Sequence, residues 1–156
     1  AFLGRIGTTN YFKNIARFPE EVVIREDLII LRFDAQLFFG NIEFFKKLVF
    51  DAVEKNKDHV KGFVINARAI NYIDSTATEQ LVELIKTLQN KGIRVMMVGA
   101  IGPARDLIIK SKLIKVLKKE NLFITSGDAT DSFDGICKKT PLQKKLSGQS
   151  NKRSNK

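Results

Sequence analysis

The chain has 156 residues, 44% hydrophobic and 28% charged, with a formal net charge of +10. That length suits one domain with a sizeable core. No apolar run nears the roughly 18 residues of a membrane helix, and the first residues lack the basic start and long apolar stretch of a signal peptide. The lone Cys137 excludes an internal disulfide. Twelve Phe and no Trp point to a phenylalanine-rich core or interface.

In chain order, "EVVIREDLIILRF" holds two apolar runs, Val22–Ile24 and Leu28–Phe33, around a polar "RED". This predicts a hairpin. "NIEFFKKLVFDAVEKN" predicts a helix capped by Asn41, with Glu43 at its positive end. Ile42, Phe45, Leu48, Val49, Ala52 and Val53 share one face at the 3.6-residue period. At 100° per residue Phe50 points away from that stripe, and Phe44 lies at its edge. With Phe38 and Phe39 before them, Phe44 and Phe50 are candidate interface residues.

"KGFVINA" predicts a short strand. "STATEQLVELIKTLQN" predicts a second helix, burying Leu81, Leu84, Ile85 and Leu88 and stopped by Gly92. Thr76 and Glu79 have the spacing of a capping box, with Ser75 or Asp74 as a further cap. "IRVMMVGA" predicts a strand covered on both faces. "GPARDLIIKSKLIKVLKKE" predicts a helix broken near Ser111, with Pro103 in its first turn. "LFIT" and "GDATDSFDGICKK" predict a short strand and a terminal helix. Strands alternating with helices imply an α/β fold with a mainly parallel sheet, made mixed by the hairpin.

Seven Lys/Arg and no acid lie in Lys138–Lys156, so the +10 falls to +3 for residues 1–137. The expected organisation is a linker with a first strand over 1–21, a folded domain over 22–137, and a disordered basic tail over 138–156. A solvated terminus or a contact with anionic lipid would both suit the tail. No aromatic interleaves its charges, which argues against nucleic acid.

Candidate chemistry is sparse. His59 is the single histidine and falls in a turn. There is no cysteine pair, Walker loop or His-Glu helix motif, so no metal, cofactor or catalytic residue is assigned. Gly99 and Gly102, between a strand and a helix, fit an anion or nucleotide site and equally a plain tight turn. Asp74, Ser75 and Thr76 place an acid and two hydroxyls at a strand-to-helix loop. They read as a helix start, or as a place for a regulatory phosphate.

The order of "NYIDST", an amphipathic helix, "GIRVMMVG", "GPARDLI" and "LFIT" resembles a STAS domain, shared by sulfate transporters and anti-sigma factor antagonists. In the antagonists the matching D-S-[ST]-G motif carries a phosphoserine, which corresponds to Ser75. Here Ala77 replaces the usual glycine and Thr78 takes the next apolar position. "LGRIGTTNYFKNIARFPEEV" and "LRFDAQLFFGNIEFFKK" resemble the segment after the last membrane helix of SulP-type anion transporters. The resemblance covers about residues 3–130. It implies a cytoplasmic, non-catalytic domain on the inner membrane of a bacterium, following a membrane domain of the same polypeptide; beginning at Ala1 rather than Met agrees with that. A homodimer, and a regulatory protein at Asp74–Thr78, are further implied partners. The other branch implies a free-standing antagonist switched at Ser75. A hydrolase using Ser75 would need a base that the sequence does not offer.

Overall fold

A computed structural model describes residues 1–136, so Cys137 and the basic tail expected over 138–156 lie outside the described residues. The chain opens with an antiparallel hairpin, β1 (Leu3–Arg5) and β2 (Phe12–Asn14). Four parallel strands follow in spatial order β3 (Leu28–Arg32), β4 (Gly62–Asn66), β5 (Arg94–Val98) and β6 (Leu122–Phe123). Between them run α1 (Ile42–Lys55), α2 (Ser75–Asn90), α3 (Gly102–Lys110) and α4 (Leu113–Leu117), and α5 (Ser126–Phe133) closes the described chain. This is the expected α/β architecture.

The strands are apolar on both faces because helices cover both. Ile29, Leu31, Phe63, Ile65, Val95 and Met97 pack under α1 to α4. The alternate residues Leu28, Ile30, Val64, Met96 and Val98 face α5 and Leu3 of the hairpin. α1 buries Ile42, Phe45, Val49 and Val53 as its periodicity predicts. α2 buries Ala77, Leu81, Val82, Leu84, Ile85 and Leu88.

Local signals end the helices as read. Gly92 adopts φ +78°. Its N–H donates to Gln89 O at 2.9 Å and the Ile93 N–H to Leu88 O at 3.1 Å, a Schellman stop. Ser111 separates α3 from α4: its hydroxyl donates to Ile108 O and accepts from the Leu113 N–H.

Three expectations need correction. Val22–Ile24 and Leu28–Phe33 do not form a hairpin; Val23 instead bridges Arg5, through Val23 N–H to Arg5 O at 2.7 Å. The antiparallel element is β1–β2, inside the 1–21 stretch expected to be a linker with a first strand, and it meets the main sheet at a Phe2–Leu31 bridge. The apolar run was real, but a strand needs a partner, and the partner at that edge is β1. Asn41 precedes α1 without bonding its free N–H groups. Its side chain spans the preceding loop, accepting from the Phe38 N–H at 3.0 Å and donating to Gln36 O at 2.6 Å. The capping box at Thr76 and Glu79 does not form either, because the cap of α2 is Asp74.

Phe50 also departs from the helical-wheel reading. It is half-buried against the main core, with Lys91 Nζ 6.0 Å from its ring, whereas Phe44 is 60% exposed. Phe50→Ser is therefore expected to cost about 1–2 kcal/mol in urea denaturation, between a surface change and a full core deletion.

Candidate functional site

All four parallel strands end at the same edge of the sheet, and the loops leaving them carry the candidate residues. In open α/β sheets ligands bind beyond this carboxyl edge, typically where the strand order reverses; the order β3-β4-β5-β6 has no reversal. The loop after β3 holds Phe38 and Phe39, the loop after β4 holds Tyr72 and Asp74, and the loop after β5 holds Gly99 and Ile101.

Asp74 organises the edge. Its Oδ1 accepts from the Ala77 N–H at 2.7 Å, capping α2, and its Oδ2 accepts from the Phe39 N–H at 2.9 Å. Main-chain bonds reinforce the junction: Leu37 N–H to Tyr72 O at 3.2 Å and Asp74 N–H to Leu37 O at 3.1 Å. One carboxylate thus ties the loop after β3 to the start of α2. Asp74→Ala is expected to cost about 1–2 kcal/mol in thermal or urea denaturation, since it removes a cap and a charged acceptor together. Faster amide exchange at Phe39 should accompany the loss.

The three hydroxyls have separate fates. Thr78 donates to Asp74 O at 2.9 Å. Ser75 and Thr76 are exposed in the first turn of α2. Ser75 also opens onto a groove of about 620 Å³ between α2 and the α3–α4 pair, lined by Glu79, Glu83, Lys86, Leu107 and Lys112 among others. His59 lies in the turn before β4, at the opposite end of the sheet, and its Nε2 stands 3.6 Å from Glu26. Geometry therefore separates Ser75 from the single imidazole. Asp74 itself is engaged by two N–H groups, which commits both of its oxygens.

Gly99 and Gly102 both have positive φ, +74° and +54°. At Gly99 a Cβ would stand 3.1 Å from Arg68 Cβ and 3.3 Å from the Arg68 main chain, so glycine lets the loops after β4 and β5 close together. The Gly99 N–H donates to Phe123 O at 3.2 Å. Pro103 at the start of α3 supplies no N–H. Two donors that an anion would use are thus spent or missing. Among the described residues no cluster of His, Cys, Asp and Glu could hold a metal ion.

A larger groove, about 650 Å³, lies away from this edge between the hairpin, β3 and α1, lined by Phe12, Ile15, Leu48, Ala52 and Lys55 among others. Arg25 and Asp27 lie beside it. Asp27 is held below the usual carboxylate range, mainly by its hydrogen bonds from Arg25. Sequence reading missed this groove because its walls come from residues as far apart as Phe2 and Thr130.

The STAS domain family model matches residues 20–129. The chain belongs to the STAS domain family. Curated relatives include Sulfate transporter 1.1 of Arabidopsis thaliana, 22% identical over 135 residues, 81% of this chain and 21% of that protein. A probable sulfate transporter, MT1781, of Mycobacterium tuberculosis is 28% identical over 106 residues, 68% of this chain and 19% of that protein. This STAS chain therefore spans about a fifth of the length of the curated relatives it matches. Among solved structures, murine Slc26a9, an anion transporter, superposes with TM-score 0.79 at 15% identity, over 86% of this chain and 22% of that one. The anti-sigma factor antagonist SpoIIAA superposes with TM-score 0.59 at 15% identity, over 74% of this chain and 96% of its own. The STAS fold read from the sequence is thus the fold observed. Among the described residues no helix is long and apolar enough to cross a membrane.

Proposed function

We infer that this is the cytoplasmic STAS domain of a SulP-type secondary anion transporter, on the inner membrane of a bacterium. It supports the folding, regulation or pairing of a membrane domain carried by the same polypeptide, and it performs no catalysis. The transported anion is of the sulfate, bicarbonate or dicarboxylate class. The observation that carries this reading is the hairpin. The transporter-like segment "LGRIGTTNYFKN" is integral to the fold, bridged to β3 and tied to α5 by an Arg5–Asp131 ion pair. The match to sulfate transporters over 81% of the chain supports the same branch.

The test is the coding sequence ahead of Ala1, followed by transport. About ten or more apolar spans of helix length should precede the domain. The complete protein should then take up labelled sulfate, bicarbonate or succinate in cells lacking their own carriers, and deletion of residues 1–136 should reduce that uptake. A start codon within a few residues of Ala1 overturns the reading.

One observation favours a second reading, a free-standing antagonist switched by phosphorylation. Ser75, at the position of the antagonist phosphoserine, is exposed at a helix N-terminus, where a dianion is tolerated. Phosphopeptide mass spectrometry of the native protein should find the Asp74–Lys86 segment modified if this holds. Full coverage without a phosphorylated form removes the switch.

A further inference from the structure

Of the twelve large apolar side chains left exposed among the described residues, six gather at one edge of the sheet, while Tyr11, Phe18, Val23 and Ile24 lie around the hairpin. Phe38, Phe39, Phe44, Tyr72, Ile101 and Ile124 are 40%, 74%, 60%, 53%, 66% and 75% exposed. All six sit in the loops or first helical turn that follow β3, β4, β5 and β6, so all lie at the carboxyl edge of the sheet. Four strands at about 4.8 Å spacing make that edge only about 15 Å across. Scattered exposed apolar residues need no explanation, but six on one short rim mark a surface that something covers.

The charges of the rim largely offset one another: exposed Arg68 and Arg105 stand in the same loops and helix starts as Asp74 and Asp106. Arg32 pairs with Asp34 at 2.9 Å, and Asp74 is engaged by two backbone N–H groups. What the rim offers is apolar area with little net charge, which suits a protein surface better than an anionic lipid headgroup layer.

The chain's own path identifies the occupant. Ala1 sits at this same edge: its N donates to Arg32 O at 2.7 Å, and the Arg32 N–H donates to Ala1 O at 2.8 Å, at the carboxyl end of β3. Any polypeptide ahead of Ala1 therefore enters beside the rim. We propose that the rim formed by these six residues docks on the cytoplasm-facing surface of the membrane domain that precedes Ala1. This rests on the transporter reading above. It adds which face of the domain points to the membrane and which side chains make the contact.

Hydrogen–deuterium exchange tests it, comparing the complete protein in phospholipid nanodiscs with the isolated 156-residue chain. Amides over 35–41, 71–74, 100–102 and 124–125 should exchange at least about tenfold more slowly in the complete protein. The double variant Phe39→Ser/Ile124→Ser should restore fast exchange there. The same variant in the isolated chain should shift Tm by no more than about 2 °C, because both residues are solvent-exposed. Equal rates in the two proteins would overturn the proposal. So would slowing in the isolated chain on adding phosphatidylglycerol vesicles, which assigns the rim to lipid. Concentration-dependent slowing in the isolated chain assigns it to a second copy, and equally overturns the proposal. Failure of the transporter reading itself shows separately, as a gene with no membrane spans ahead of Ala1.

Discussion

Phe45→Ala should destabilise the domain by about 3–5 kcal/mol, a large share of the total for a domain of this size. Phe45 is fully buried in α1, and its ring meets Phe33 edge-on at 5.0 Å and 76°. The contact joins the first helix to the chain leaving β3, just ahead of the loop that carries Phe38 and Phe39. Truncation would leave a cavity the size of a ring between rigid elements. The surroundings can relax only partly into it, because α1 and the sheet are both held by other core residues. Urea denaturation gives the loss directly. Phe44→Ala, one position earlier, should stay within about 0.5 kcal/mol in the isolated domain. A Phe44 loss comparable to that of Phe45 would show that Phe44 packs inside the domain and does not belong to the exposed rim.

Arg5→Ala should cost about 2–3 kcal/mol. Both terminal nitrogens of Arg5 lie 3.1 Å from Asp131 Oδ1, and Asp131 is only 5% exposed. The guanidinium also stands 5.6 Å from the centre of the Phe12 ring and donates to Gly127 O at 3.5 Å. Removing it deprives a buried carboxylate of a cationic partner and unties the hairpin from α5. The expectation is below the full cost of breaking a buried ion pair because Arg5 Nε is itself buried without a hydrogen-bond partner among the described residues. Exchange at the β2 amides Phe12–Asn14 should rise more than exchange in β4, which separates loosening of the hairpin from global unfolding. Arg5→Lys should recover about half of the loss, since an ammonium keeps the charge but not the fork. If Arg5→Ala left both stability and hairpin exchange unchanged, the hairpin would not be integral to the domain, and the main structural support for the transporter branch would fall with it.

The sequence by itself determined the elements whose signals are local. A 3.6-residue period marked α1 and α2. Gly92 marked the end of α2 and Ser111 the break between α3 and α4, through turn chemistry that depends on neighbours within five residues. Apolar runs marked β3, β4 and β5 as strands, β5 as one covered on both faces, and the motif order around "NYIDST" marked the STAS family. Tertiary structure alone decided what depends on a distant partner. Val22–Ile24 has the composition of a strand, yet pairing is non-local, and the edge it would have filled is taken by β1. The helical wheel placed Phe50 outward, but the burial of a side chain is set by whatever packs beside its helix, and Phe50 lies against the core under Lys91. Several residues in "DSTATE" could have capped α2. The choice fell on Asp74 in a loop that its second oxygen also ties to the Phe39 N–H, 35 residues away in sequence. The apolar rim has the same origin: its six side chains come from four separate loops, and only the parallel order of the sheet brings those loops to one edge.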